Sequence, residues 1–395
     1  MLTVWKALLA GSCVAWILLW FARLRFWCPP LHRPSGNALS WDLCAIVPAR
    51  NEARHVNRLV ESLRAQTAID MPVLFVDDHS DDETLCLATS AAAEIEGVRV
   101  LSSPPKPADW AGKTWAAHHG ASASTSEWIL FCDADTTLSP DAMIAAKELI
   151  DREQLDALSI IPRMKSSRLS VASLLAIFAV ARAILLRPAS PTRRGLMQGA
   201  VLAVRRSVYE AVGGFAAQKG SLLEDVDLGH AIQKAGYRLR TLPPSRLAAT
   251  EMYSNFGEAW EGIQKLIYPV MGRRVTRILA GALVCMVLIA LPPFSWIAGA
   301  TVNAYAPSPD LFFVTGLSLL ATVLAAWFAT RILARESLSI LSWCLLPLSF
   351  FLFCGLAVSS ILAYRQGRVC WKGRTYAPRW TPEDVLPSTP LRRTP

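Results

Sequence analysis

The chain has 395 residues, 53% of them hydrophobic and 18% charged, with a formal net charge of +9 and a mean hydropathy of +0.32. Such a composition excludes a disordered chain and argues against one that is soluble throughout. At roughly 100–200 residues per domain, one or two globular units fit beside membrane segments. The positive charge invites a nucleic-acid reading, but much of it flanks apolar blocks: Arg23, Arg25 and Arg33 after the first, Arg273, Arg274 and Arg277 before the second, Arg365, Arg368, Lys372 and Arg374 after the last. That is the positive-inside pattern beside anionic lipid, and it points to a bilayer partner and to no nucleic acid. The nine cysteines show no repeated CxxC spacing, and Cys13, Cys285, Cys344 and Cys354 lie in apolar blocks. They read as small buried hydrophobes in a reducing compartment.

In chain order, residues 4–22 form an apolar run close to the roughly 20 residues that span a bilayer. Only Lys6 precedes its core, arginines follow it, and no A-x-A-like site precedes Arg23. An uncleaved anchor over 1–25 is expected rather than a signal peptide, with the following chain on the cytosolic side. A domain over 40–275 comes next. Its pattern alternates: strands at 43–47, 72–76, 98–101 and 128–131, with helices at 52–65 and 82–94 and another opening at 112–120. This rhythm predicts an α/β domain with a mostly parallel sheet, helices on both faces and a ligand beyond the carboxyl ends of the strands.

Those ends are polar. The first strand runs into Pro48-Ala49-Arg50-Asn51-Glu52, the second into Asp77-Asp78-His79-Ser80, the fourth into Asp133-Ala134-Asp135. Ser80 and Glu83 fit a capping box that would only start a helix. Asp77 and Asp78 remain, and their mutual repulsion calls for a ligand donor such as a base N–H or ribose hydroxyls. In an extended chain Asp133 and Asp135 would share one face. Two like charges held together call for a cation, and oxygen-only ligation beside phosphate oxygens suits Mg²⁺. No His or Cys accompanies them, which disfavours zinc.

A second half of the domain follows. The stretch 169–186 is apolar but contains Arg182, and reads either as a helix in the membrane interface or as a buried helix. Gln198-Gly199-Ala200 leads into a strand at 201–204, a helix starts near Arg206, and Gly213-Gly214-Phe215 breaks it. Glu224, Asp225 and Asp227 then open a helix running to Ala235; a cap by Ser221 accounts for one of these acids.

Apolar blocks at 278–302, 311–330 and 338–364 make up a C-terminal membrane region over 276–364, followed by a basic cytosolic tail over 365–395. Three full crossings would place that tail opposite the domain, against the charge rule. One block is therefore expected to be re-entrant or interfacial, with Pro292–Pro293 and Pro347 marking two suspects.

The ordered set VPARNE (47–52), VDDHSDDET (76–84), WAGKTWA (110–116), FCDADT (131–136), VGGF (212–215) and LEDVDLG (223–229) resembles the family 2 glycosyltransferases of GT-A fold. WAGKTWAAHHG and 251–265 are similar to membrane-anchored members acting on lipids, carotenoids and hopanoids. The resemblance implies a cytosol-facing, multi-pass enzyme of the cytoplasmic membrane. It would move one sugar from a nucleotide diphosphate sugar, with UDP as the family default, to a lipid hydroxyl, inverting the anomeric centre with Mg²⁺ or Mn²⁺. It further implies that Pro48, Ala49, Glu52, Asp77, Asp78, Lys113 and Asp133 hold the donor and that Asp135, with Asp133, holds the metal. Asp225, beside Glu224, would be the base, while Gly213, Gly214, Phe215 and Trp260 would border the acceptor. Trp260 also reads as an interfacial anchor. The Gln-x-x-Arg-Trp motif of processive members is absent from 257–265, which disfavours a polysaccharide synthase. A binding protein without catalysis would have lost one of these acids, and none is lost. A transporter would carry intramembrane charge that the later blocks lack. Oligomeric state has no signal.

Overall fold

The computed structural model describes residues 2–24, 40–66, 71–221, 223–338, 340–371 and 374–376. Arg25, Arg33, Lys372 and the tail beyond 376 lie outside the described residues. The chain opens with α1 (Leu2–Leu19) and a π-helical turn. The domain then runs β1 (Leu43–Ala49), α2 (Ala53–Arg64), β2 (Val73–Asp77), α3 (Thr84–Glu94), β3 (Val98–Ser102), α4 (Gly112–Ala123) and β4 (Trp128–Cys132). Next come β5 (Thr136–Leu138), α5 (Ala142–Glu153), β6 (Ala157–Ile160), β7 (Arg163–Met164), α6 (Leu169–Leu185), β8 (Val201–Arg205), α7 (Arg206–Ala211), α8 (Glu224–Lys234), β9 (Leu239–Leu242) and β10 (Ala248–Thr250). The remainder is α9 (Phe256–Val270), α10 (Val275–Cys285), α11 (Leu291–Tyr305), α12 (Pro309–Leu333), α13 (Ile340–Cys344), α14 (Leu346–Arg365), β11 (Val369–Trp371) and β12 (Arg374–Tyr376).

The main sheet has the order β3-β2-β1-β4-β8-β6-β9. It is the expected mostly parallel sheet: β8 alone in it is reversed, against β4 and β6. Every residue of β1, β2 and β4 is buried, as strands covered on both faces require. Val56, Leu59, Val60 and Leu63 of α2 pack on one face of the sheet; Ala116, Ala117 and Ala121 of α4 with Leu228 and Ile232 of α8 cover the other. The short sheet β5-β10-β7 stands beyond the carboxyl edge.

Helix α6 is enclosed by protein, with 13 of its 17 residues buried. Of the two readings for 169–186, the structure has the buried helix. The reason is its charge: Arg182 finds a counter-charge inside, pairing at 2.8 Å with Glu336, both side chains almost fully buried. Glu336 also accepts a hydrogen bond from Met164 N at 2.8 Å, which ties the segment after α12 to β7.

Among the described residues, four helical segments are long and apolar enough to cross a membrane: Leu2–Ala22, Val275–Tyr305, Pro309–Leu333 and Leu346–Arg365. Val275–Tyr305 is continuous through Pro292 and Pro293, so the double proline does not mark a re-entrant break. A π-helical turn at Met286–Ala290 takes up the clash. Both prolines lack the N–H that Leu288 O would bond in an α- or a π-pattern. Trp16 of α1 supplies one instead, its indole N–H donating to Leu288 O at 3.1 Å.

Candidate active site

The site forms where β1, β2 and β4 end. Asn51 (φ 54°) and His79 (φ 55°) adopt left-handed backbone there, a strained conformation typical of functional turns. The two turns are stitched together. Asn51 N donates to Ser80 Oγ (3.1 Å), Asp81 N to Asn51 Oδ1 (2.9 Å), Ala53 N to Asp82 Oδ2 (3.2 Å) and Glu52 N to Thr84 Oγ1 (2.7 Å). The expected capping box is therefore absent: Ser80 serves Asn51, and Asp82 accepts from Thr84 N at 3.0 Å. Asp133-Ala134-Asp135 is also not extended. It is a turn closed by Thr136 N donating to Asp133 O at 3.0 Å, yet both carboxylates border the same cavity.

That cavity holds about 260 Å³. Pro48, Ala49, Glu52, Asp78, Lys113, Asp133, Asp135, Glu224 and Asp225 all line it. Asp77 stands just behind, with Oδ2 accepting from Ser80 N at 3.2 Å and Oδ1 buried without a hydrogen-bond partner. At the centre Lys113 pairs with Asp133 at 2.6 Å and Glu224 at 3.4 Å. Burial alone would favour the neutral amine, but Asp133, Glu224 and Asp225 outweigh it and hold Lys113 well above the usual lysine value. Burial pushes Glu224 above the usual carboxylate range; Lys113 opposes that shift and Asp225 adds to it. Burial likewise raises Asp78, against the pull of Arg50 and His79.

Asp225 is positioned by backbone. Its Oδ2 accepts from Gly199 N at 2.6 Å and its Oδ1 from Val226 N at 2.8 Å, at the start of α8 where peptide dipoles favour an anion. Residue 199 has to be glycine, because a Cβ there would lie 2.5 Å from Asp225 Cβ. Ser221 does not cap Glu224: its Oγ accepts from Leu223 N and donates to Asp227 Oδ2. Glu224 is thus left to the cavity.

The resemblance placed four residues at the acceptor that the structure puts elsewhere, wholly or in part. Gly213 and Gly214 do not line the cavity; they turn the chain with φ of 79° and 52°, and the ring of Tyr209 fills the space a Cβ at 214 would need. Phe215 packs in the core against Phe131 and Tyr209 and only floors a small side pocket beneath Lys113 and Asp225. Trp260 also lies off the cavity, packed beside Phe256 and over Gly355 of α14. Several lining residues carried no sequence signal as site residues: Arg50, Thr114, Arg182, Gln198, Tyr253, Lys265 and the apolar group Phe178, Leu185, Ile267, Val270, Met271 and Phe353. Arg50 has Nε and Nη1 buried without a hydrogen-bond partner, and Thr114 Oγ1 is in the same state. Buried donors in a cleft are normally satisfied, which makes Arg50 and Thr114 candidates for ligand contact.

Among the described residues no group of three or more His, Cys, Asp or Glu side chains gathers to cage a metal. A cation held by one or two carboxylates and phosphate oxygens needs no such cage. Asp135 fits that role: its carboxylate borders the cavity and takes one weak bond, from Thr136 Oγ1 at 3.3 Å. Asp133 already shares an oxygen with Lys113.

Comparison with known proteins agrees with the motifs. Residues 44–183 match the model of "Glycosyl transferase family 2". The chain is 26% identical over 364 residues to a 4,4'-diaponeurosporenoate glycosyltransferase of Staphylococcus aureus strain MRSA252, covering 88% of this chain and 92% of that one. The Staphylococcus haemolyticus protein of the same name is 31% identical over 104 residues, or 26% of this chain and 27% of that one. Among solved structures, a mannosyltransferase from Pyrobaculum calidifontis in complex with GDP-Man and Mn²⁺ is similar at 16% identity and a TM-score of 0.49, over 92% of this chain and 98% of that one. Staphylococcus aureus TarS 1-349 in complex with UDP is similar at 17% identity and a TM-score of 0.38, over 84% and 95%. Residues 128–362, more than half of the chain and reaching from β4 through α8 into α14, match the model of "Glycosyl transferase family group 2". With motifs, sheet and family model in agreement, the chain belongs to that family and is a glycosyltransferase of GT-A fold.

Proposed function

We propose that the enzyme transfers a single sugar from a nucleotide diphosphate sugar to the hydroxyl of a membrane lipid, with inversion. One observation carries this: a single cavity is lined both by the charged Asp78, Lys113, Asp133, Asp135, Glu224 and Asp225 and by the apolar Phe178, Leu185, Ile267, Val270, Met271 and Phe353. Its polar lining suits a nucleotide diphosphate sugar, its apolar lining the chain of a lipid. A carotenoid-class acceptor chain is favoured by the relatives named for 4,4'-diaponeurosporenoate, a carboxylate by its name; the hydroxyl as reacting group rests on Asp225 as base. The apolar helices and their basic flanks support a membrane enzyme with its domain facing the cytosol.

In this reading Asp225 takes the acceptor hydroxyl's proton as that oxygen bonds to the anomeric carbon. The bond from that carbon to the diphosphate oxygen breaks, and the electron pair leaves with the nucleotide. Backbone N–H groups hold both Asp225 oxygens, and each oxygen keeps a lone pair for the proton. Lys113 offers positive charge to the departing diphosphate. Asp78 and Arg50 line the nucleoside end. A divalent cation, held by Asp135 with Asp133, would neutralise charge on the leaving group. No second carboxylate nucleophile is needed, so one displacement inverts the centre.

The test is direct. Purified enzyme in detergent is incubated with several nucleotide sugars, Mg²⁺ and a carotenoid-containing lipid extract, and lipids gaining one hexose mass are followed. Asp225→Asn should abolish that product while nucleotide binding persists. An Asn variant as active as the parent, or no glycosylated lipid with any donor, would overturn the proposal.

A further inference from the structure

The charge rule objects to a chain that crosses three times after the domain, and the packing of the fourth apolar segment answers it. The long helix α10–α11 leaves the domain after Arg273 and Arg274, and α12 brings the chain back. At the far end, Lys6 at the start of α1 pairs with Asp310 at the start of α12, and Asn303 of α11 donates to Thr315 of α12 at 3.0 Å. At the near end, Ser337 N donates to Met164 O at 3.1 Å and Glu336 pairs with Arg182, so the segment after α12 is fixed to β7 and α6.

The segment leading into α14 starts from that near side, and α14 ends on it. Its first turns reach the middle of the long helix: Phe351 packs against Phe294 with ring centroids 6.1 Å apart, and Leu346 and Phe350 are buried with Leu288 and Ile289. Its last turns lie along α9, which continues directly from the domain. Gly355 packs beneath Trp260. Ser359 accepts from Gln264, Ser360 accepts from Tyr268 N at 3.1 Å, and Tyr364 donates to Lys265 O at 2.7 Å. Strand β11 then rests against α9. On the outer face Leu348, Phe351, Val358 and Leu362 are exposed.

We propose that α13–α14 is a re-entrant hairpin: it enters the membrane from the domain side, turns near the midplane and returns, rather than crossing. Residue 290 stands 15 residues into the long helix, about 22 Å deep at 1.5 Å per residue, and that is the level where α14 begins. The chain then crosses three times, with α1, α10–α11 and α12, and the domain, the segment 334–337 and the residues after α14 share one side, as the basic flanks demand. The outer apolar face of α14 fits the acyl chains of the domain-side leaflet, continuous with the exposed faces of α10 and α12. Its inner face carries Phe353 into the cavity, so the acceptor chain is drawn from that leaflet. This last point rests on the lipid-acceptor reading; the topology rests only on the apolar helices lying in a bilayer.

The experiment labels single cysteines in membrane vesicles of known orientation with an impermeant maleimide. Native Cys86, exposed on α3, is kept as the marker of the domain side while the other cysteines are replaced, and Ala306→Cys or Gln366→Cys is added. Position 366 should label from the same side as Cys86, and 306 from the opposite side. Labelling of 366 from the side of 306 would overturn the hairpin. Should the cysteine-depleted chain fail to fold, protease added to oriented vesicles of the otherwise unaltered chain gives the same decision: loss of a C-terminal tag from the side on which the domain is cut supports the hairpin, and loss of it only from the opposite side refutes it. Extraction of the protein by alkaline carbonate would refute the membrane reading as a whole. A probe at Leu348 quenched by midplane-brominated lipid confirms the depth; shallow quenching would leave α14 on the surface and overturn the turn at the midplane.

Discussion

Replacing Gly199 by alanine isolates the positioning of Asp225 without touching a reacting group. The added Cβ would stand 2.5 Å from Asp225 Cβ and 3.2 Å from Oδ2, where carbon atoms normally keep about 3.5–4.0 Å. Strand β8 begins two residues later inside the sheet, so the helix start has to yield, by about 1 Å. A 1 Å misplacement of a catalytic group costs on the order of 10²-fold in rate, or about 2.7 kcal/mol. The bond from Gly199 N to Oδ2, 2.6 Å long, is stretched by the same movement. The assay is kcat for lipid glycosylation in detergent with both substrates saturating, alongside nucleotide diphosphate affinity and thermal unfolding. We expect kcat to fall about a hundredfold, with affinity changed less than about threefold if the donor lies on the β1–β2 side as proposed. An alanine variant retaining a third or more of parental kcat, while folded, would refute the claim that this contact places the base.

Other outcomes follow from the same geometry. Arg50→Gln removes two buried unpaired donors from the nucleoside end; a hydrogen bond to a charged group is worth about 1.5–3 kcal/mol, so nucleotide affinity by calorimetry should drop about ten- to a hundredfold, and unchanged affinity would remove Arg50 from the donor site. Truncating either Arg182 or Glu336 alone removes the ion-pair partner of a buried charge at a cost of about 3–5 kcal/mol, visible as a lower thermal midpoint, whereas an apolar pair of matching volume in both positions should restore most of it. Because burial raises Glu224 in the fold, the folded protein holds that proton more tightly than the unfolded chain. This contribution is fully present below the unfolded carboxylate value and is lost as pH rises through the raised folded value. Thermal midpoints of Glu224→Gln should therefore gain on the parent as pH rises through that window, and parallel curves would refute the shift.

Much of the donor side was legible because its acids follow strands whose every residue is buried. Residues 43–47, 72–76 and 128–131 announce themselves by unbroken apolar runs, and Asp78, Asp133 and Asp135 stand where those runs stop. The rest lacked a periodic signal. Strands β5, β7 and β10 have two or three residues each, too short for alternation to register, yet β7 is what receives the chain returning from α12. Arg50 and Gln198 sit among ordinary turn residues, and their importance lies in unsatisfied or converging atoms that only the fold brings together. Gly213, Gly214 and Trp260 misled in the opposite direction. Their motif positions are real, but the glycines answer to the ring of Tyr209 and the tryptophan to Gly355. The buried state of 169–186 also depended on a partner 154 residues away, Glu336.

The indole of Trp16 has a consequence for biogenesis. It completes a helix whose bare carbonyl is made 272 residues later. At about 5–20 residues per second of synthesis, the first helix waits roughly 15 to 55 s for that partner. Until the two meet, the newly emerged proline-bearing helix carries an oxygen that hydrocarbon cannot solvate. The segment bearing Trp16 thus supplies a hydrogen bond that the proline-bearing helix cannot make for itself, and it can do so only once residue 288 has been synthesised.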